Sequence, residues 1–238
     1  MKADAVIFDK DGTLVDFDAF WISVTQAALT QVLTDLGRTD VPTEPILEAL
    51  GVRDGTTDIN GVLCKGTYRE IGEIVYEFLR RHGCTLSCEE TVARVLEAYN
   101  SSMQAGEVRP TSPALTAMLT SLKEQGKKLA VVTTDNEPIT RLCLQKLGIE
   151  ALFDKIYTDD GRTPTKPDPY CAEDFCRLTG VPKDRTVMVG DTMTDVRFAR
   201  NAGICVVSIA QNEQSRTVLL PHADVVITDM TQLADILE

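Results

Sequence analysis

No stretch of this chain approaches the roughly eighteen consecutive apolar residues that a membrane-spanning helix needs, so no membrane partner is expected. Basic residues are also scarce. Lys and Arg number 24 against 36 Asp and Glu, a net charge of −12. Long polyanions are held by basic surface, so no nucleic-acid partner is expected. A small phosphate ester needs only a few local positive groups and stays open. The start, MKADAVIFDK, lacks the basic head, apolar centre and small-residue cleavage site of a secretory leader. The seven cysteines are odd in number and scattered, which argues against a disulfide framework and for a reducing, cytoplasmic location. Neither CxxC nor HxxxH occurs. His82, Cys84 and Cys88 could be imagined on zinc, but no fourth ligand is near, and a helix end with buried thiols is the simpler reading. No GxxxxGK[ST] loop is present, which removes a P-loop nucleotide site. There is no internal repeat and no low-complexity tract.

What is present is an alternation of short apolar runs and helical patterns over 238 residues, enough for one large α/β domain or a core with an inserted subdomain. The runs Ala5–Phe8, Leu129–Thr133, Lys155–Tyr157, Val187–Gly190, Ile204–Ile209 and Val225–Ile227 read as strands. Helices are expected over Pro113–Gln125, with Ser112 as N-cap, and over Pro138–Leu147, Pro169–Leu178 and Thr194–Asn201. Strands alternating with helices through short loops imply an α/β fold, a parallel sheet covered on both faces. Residues 16–106 break the rhythm. They show no convincing strand, but helical periodicity recurs over Phe20–Leu36, Glu44–Leu50, Tyr68–Arg81 and Glu89–Met103. This predicts a core of residues 1–15 and 107–238 with a helical domain, 16–106, inserted after the first strand. Within it Gly51–Gly66, GVRDGTTDINGVLCKG, is long for a helix connection, and such loops are often functional.

The chemistry sits where the apolar runs stop. VIF ends at Asp9, with Asp11 and Gly12 following, and ligands bind at that edge of an open α/β sheet. Extended alternation would put the Asp9 and Asp11 side chains on one side and Lys10 on the other. Carboxylates so close raise each other's pKa unless a cation joins them, and hard, oxygen-seeking magnesium is the obvious one. Asp9 can act as a nucleophile that is already ionised at neutral pH, and Asp11 as an acid and base toward the leaving oxygen and water. Thr133 and Thr134, at the next strand end, offer a hydroxyl and an N–H to a phosphoryl oxygen. Lys166 lies in TPTKPDP, where Pro167 restricts it to extended backbone, and it can bring a fixed positive charge to nucleophile and phosphate. In VGDTMTD, Asp191 ends a strand and Asp195 lies one helical turn on. Either could simply cap a helix, but beside the other acids Asp191 completes an oxygen-only metal site with Asp9 and Asp11.

On these four segments, DKDGT, VVTTD, KPDP and GDTMTD, the chain resembles a haloacid-dehalogenase-superfamily phosphatase with a helical C1-type cap, and among those it is most similar to phosphoglycolate-phosphatase-like hydrolases. The resemblance implies a three-layer Rossmann-like core with strand order 5-4-1-2-3 and magnesium dependence. It also implies an aspartyl-phosphate on Asp9, with Asp11 as general acid–base. Asp9, Asp191 and the Asp11 carbonyl would hold the metal, and Asp195 would support Lys166 and metal-bound water. The substrate would be a small phosphorylated metabolite, the assembly a monomer or homodimer. Selectivity would come from the cap closing as a lid over the sheet edge, with Arg53 and Lys65 able to meet a second anionic group.

Haloacid dehalogenases lack the second acid, Asp11, and P-type pumps resemble DKTGT with threonine there. A sugar-phosphate mutase would share all four motifs. A phospho-acceptor receiver module uses similar residues, but its lysine comes last, whereas here GDTMTD follows Lys166. A cysteine phosphatase would need the C-x5-R of Cys171 and Arg177 to form an anion nest, but the intervening AEDFC is acidic, lacks glycine and reads as helix.

Overall fold

The computed structural model describes residues 1–58 and 60–237. Two compact units divide the chain: Met1–Asp16 with Val108–Glu238, and Phe17–Glu107.

The first unit is built on a parallel sheet of six strands. They are β1 (Ala5–Phe8), β2 (Lys128–Val132), β3 (Lys155–Tyr157), β4 (Thr186–Gly190), β5 (Cys205–Ile209) and β6 (Val225–Ile227). Their order across the sheet is β3-β2-β1-β4-β5-β6. The first five follow the expected 5-4-1-2-3 order read from the other edge, but the sheet does not end there. β6 pairs Val225, Val226 and Ile227 with Val207, Ser208 and Ile209, and so extends the edge beside β5. All four residues of β1 are fully buried, because helices cover both faces of the sheet and leave no polar side for alternation. Phe8 lies opposite Val131 on one side and Val189 on the other. The carboxyl ends of β1, β2 and β4 therefore lie side by side.

Local signals bound the crossover helices. Asn136 accepts the Ile139 amide at the head of Glu137–Lys146, and left-handed Gly180 and Gly203 close Tyr170–Thr179 and Met193–Ala202. One start differs. The helix expected from Pro113 begins at Leu115, because Ser112 and Pro113 form a separate turn in which the Ser112 carbonyl accepts the Leu115 amide. Cys171 and Arg177 lie on the helix Tyr170–Thr179, so C-x5-R wraps no loop around an anion.

The second unit carries four main helices, Phe17–Asp35, Glu44–Ala49, Tyr68–Arg81 and Cys88–Ser102. Reciprocal capping boxes, Thr67 with Glu70 and Ser87 with Glu90, start the last two. The fully buried Tyr99 hydroxyl donates to Thr25 Oγ1 at 2.9 Å and joins the last helix to the first.

Two readings of this unit need correction. The loop Gly51–Gly66, with Ile59 outside the described residues, contains a small antiparallel hairpin, Val52–Arg53 with Thr56–Thr57, and a helical turn over Val62–Lys65. The hairpin turns on Asp54 and Gly55, both at positive φ, as an Asp-Gly pair favours. Two-residue strands are too short to register as alternation. At the end of Tyr68–Arg81, His82 Nδ1 lies 2.8 Å from the Phe78 carbonyl, closing the helix, while Cys84 and Cys88 are half-buried rather than buried. No described helix is long and apolar enough to cross a membrane.

Candidate active site

Asp9 is the first residue beyond β1, and its amide still donates to the Val189 carbonyl at 2.9 Å. That bond holds its side chain at the sheet edge, only 7% exposed. Lys166 arrives from the loop after β3. Its Nζ lies 2.5 Å from Asp9 Oδ1 and 2.6 Å from Asp195 Oδ1. Asn201 steadies this loop by donating to the Pro167 carbonyl at 2.9 Å. Burial disfavours the Lys166 ammonium, but Asp195 and Asp9 outweigh it and hold the group protonated well above its ordinary range.

Asp195 uses its two oxygens separately. Its Oδ2 accepts from the Thr192 amide at 3.0 Å and hydroxyl at 2.7 Å, capping the helix Met193–Ala202, while Oδ1 takes Lys166. The two oxygens divide the work. Gly190 makes room for this, since a Cβ there would run into the Asp195 carboxylate.

Asp191 is held between Thr13, whose hydroxyl donates to Oδ1 at 3.4 Å, and Gln211, whose Nε2 donates to Oδ2 at 3.3 Å. Gln211 also donates to the Gly12 carbonyl at 3.0 Å, tying the loop after β1 to the loops after β4 and β5. Gly12 has φ +73°, and a Cβ on it would collide with the Asp191 carboxylate. Gly12→Ala is therefore expected to destabilise the protein by about 1–3 kcal/mol, from left-handed strain and displaced contacts. It should also weaken cation binding at Asp191. A urea unfolding midpoint equal to wild type would contradict this account of the loop.

Carboxylate oxygens of Asp9, Asp191 and Asp195 all lie within 4.8 Å of one another. Lys166 is the cation that contacts them among the described residues. Burial pushes Asp9 up to about 7, Lys166 opposes this, and Asp195 and Asp11 add to it. Burial, with Asp9 and Asp195, also raises Asp191 well above the usual carboxylate range. Burial and the neighbouring acids thus work against the Asp9 charge that the Lys166 ammonium favours. A divalent cation among these oxygens would reverse that balance. An all-oxygen donor set is hard and suits magnesium. On both counts the residues fit that ion.

Asp11 is placed differently from expectation. The strand ends at Phe8, so strict alternation does not continue. The chain curls, and the Lys10 carbonyl accepts the amides of Leu14 and Val15 at 2.8 and 2.9 Å. Lys10 turns inward and its Nζ meets Asp11 Oδ1 at 2.7 Å. The clustered carboxylates are therefore Asp9, Asp191 and Asp195, rather than Asp9, Asp11 and Asp191. Burial raises Asp11 to about 6, with Lys10 opposing and Asp135 adding.

Thr133 is buried just beyond β2, its hydroxyl accepting from the Asp135 amide at 3.1 Å, and Thr134 beside it is exposed. Sequence reasoning missed Lys10, Thr13, Asp135 and Gln211. Only Lys10 carried a signal: it stands between a buried strand and a turn glycine, where an exposed lysine has little room.

Known proteins share the sequence pattern and the fold of this chain. A phosphoglycolate phosphatase of Psychrobacter arcticus is 29% identical over 206 residues, 86% of this chain and 82% of that protein. A haloacid-dehalogenase-superfamily hydrolase of subfamily IA from Geobacter sulfurreducens superposes with TM-score 0.71 at 19% identity, covering 99% of this chain and 97% of that one. The hydrolase YfnB of Bacillus subtilis, solved bound to magnesium, gives TM-score 0.67 at 18% identity over 100% of both chains. The sequence pattern of the haloacid dehalogenase-like hydrolases matches residues 3–203, and the chain belongs to that family of hydrolases.

Proposed function

We propose that this hydrolase is a magnesium-dependent phosphatase acting on a small phosphomonoester, phosphoglycolate or a sugar phosphate, through an aspartyl-phosphate on Asp9. The observation that carries the reading is the buried contact of Lys166 with Asp9 and Asp195 beside Asp191 at one sheet edge. The relative named phosphoglycolate phosphatase supports the substrate class.

Lys166 holds Asp9 Oδ1, which orients the carboxylate and leaves Oδ2 as the attacking oxygen. An Oδ2–phosphorus bond forms, the bond from phosphorus to the leaving oxygen breaks, and Asp11 passes its proton to that oxygen. Water then attacks the phosphorus of the aspartyl-phosphate, Asp11 takes its proton, and inorganic phosphate and the Asp9 carboxylate separate. The Thr133 hydroxyl and the Thr134 amide serve the phosphoryl oxygens, and Lys166 offsets their charge. Asp9, Asp191 and the Asp11 carbonyl would hold magnesium, which when bound neutralises negative charge on the phosphoryl group.

A phosphate-release screen over small metabolite esters, with and without magnesium, tests the proposal. Release from none of them would overturn it, and isomerisation of a sugar phosphate without release would mark a mutase. A cytoplasmic setting accords with the scattered free cysteines.

The inserted unit is proposed to set leaving-group selectivity, because its chain departs from the core just after Asp11. Arg53 and Lys65 are exposed there, and Lys65 Nζ donates to Asn60 Oδ1 at 2.6 Å. Arg53→Ala or Lys65→Ala is expected to lower kcat/KM for doubly anionic substrates by about tenfold, the usual scale of one lost charged contact. Hydrolysis of p-nitrophenyl phosphate should change far less. Equal losses on both substrates would assign these residues to folding instead.

A further inference from the structure

Lys10 and Asp135 take no part in the chemistry above, yet Lys10 is fully buried, and a buried ammonium costs several kcal/mol unless it is paired. Its Nζ lies 2.7 Å from Asp11 Oδ1 and 2.8 Å from Asp135 Oδ2. Asp135 is itself fixed at the end of β2. Its amide donates to Thr133 Oγ1 at 3.1 Å, and its carbonyl accepts the Asp159 amide at 2.8 Å. Lys10 thus ties the loop after β1 to the loop after β2, and the strands beneath are locked by the Phe8–Val131 pairing.

We propose that Lys10 and Asp135 are positioning residues for the Asp11 carboxyl group. With Oδ1 held on Lys10, the Asp11 carboxyl group is fixed in one orientation, from which it would exchange a proton with the leaving group and then with water. Without these partners the Asp11 carboxyl group would be free to turn about its side-chain bonds. Asp135 keeps the lysine from swinging away with it. The inference rests on Asp11 serving as acid and base, and the test separates the two ideas.

Three variants are compared, Asp11→Asn, Lys10→Met and Asp135→Asn, on two kinds of ester. An alkyl phosphate needs its leaving oxygen protonated, whereas p-nitrophenolate scarcely does. Asp11→Asn should cut kcat for the alkyl ester about a hundredfold or more. Lys10→Met and Asp135→Asn should cut it by about tenfold or more through misalignment, with KM within about twofold of wild type. In all three the first-turnover burst of p-nitrophenolate should stay near the wild-type rate while later turnovers slow. If Asp11→Asn lacks this split, the acid–base reading of Asp11 fails. If Asp11→Asn shows the split and the other two lose both esters equally, or lose neither, the positioning role fails. Should Lys10→Met not fold, because two acids are left facing each other, the near-isosteric Asp135→Asn carries the decision, with folding checked by thermal unfolding.

Discussion

Asp9→Asn is expected to lower phosphate release by on the order of 10⁴-fold or more, since a nucleophile's loss removes the covalent path entirely. The amide has no oxygen able to attack phosphorus. The fold should survive. Asparagine has nearly the same shape, and Lys166 keeps Asp195 as its ionic partner at 2.6 Å. Burial already opposes charge at this position, pushing Asp9 up to about 7, so a neutral amide fits a setting that disfavours the carboxylate. In the metal-free protein Asp9→Asn should therefore melt no lower than wild type. Phosphate release and thermal unfolding, measured on the same sample, decide the matter. Wild-type turnover in the variant would mean that another group attacks phosphorus.

Removal of the metal is the second large effect. Excess EDTA should abolish phosphate release, and added magnesium should restore it. Calcium should support less turnover, because its looser and higher coordination occupies both oxygens of a carboxylate that needs one free. A readout independent of turnover follows from mass action. Magnesium at 100 times its dissociation constant should stabilise the folded protein by about 2.7 kcal/mol, seen as a rise in Tm. Asp191→Asn should remove most of that rise, since Asp191 is one of the three clustered acids. Full activity in excess EDTA would sink the metal assignment.

Much of the core was legible because its signals are local. The apolar run Ala5–Phe8 and the left-handed glycines Gly180 and Gly203 each act within a few residues. Their meaning does not depend on distant partners. The reading failed where local signals were too short or ambiguous. The hairpin at Asp54–Gly55 has two-residue strands, and the turn at Ser112–Pro113 resembles a helix start until its hydrogen bonds are seen. The sixth strand was visible as Val225–Ile227, but its place at the edge beside β5 is a matter of pairing, not of composition.

The site divides in the same way. That Asp9, Thr133 and Asp191 fall at or just past strand ends follows from where apolar runs stop, and a parallel sheet then gathers those ends along one edge, which Lys166 reaches from the loop after β3. Sequence alone therefore determined the family, the fold class and which strand ends carry polar groups. Tertiary structure alone decided how each side chain is spent. Lys166 reaches Asp9 across 157 positions and Gln211 reaches Gly12 across 199. Asp195 gives one oxygen to a helix cap and the other to Lys166. Asp11 turns to Lys10 instead of joining the clustered acids, because the chain curls as soon as β1 ends. A strand's period dictates side-chain direction only while the strand lasts. Beyond its last residue, direction is set by whichever buried partner satisfies the charge, and that partner is found in space rather than along the chain.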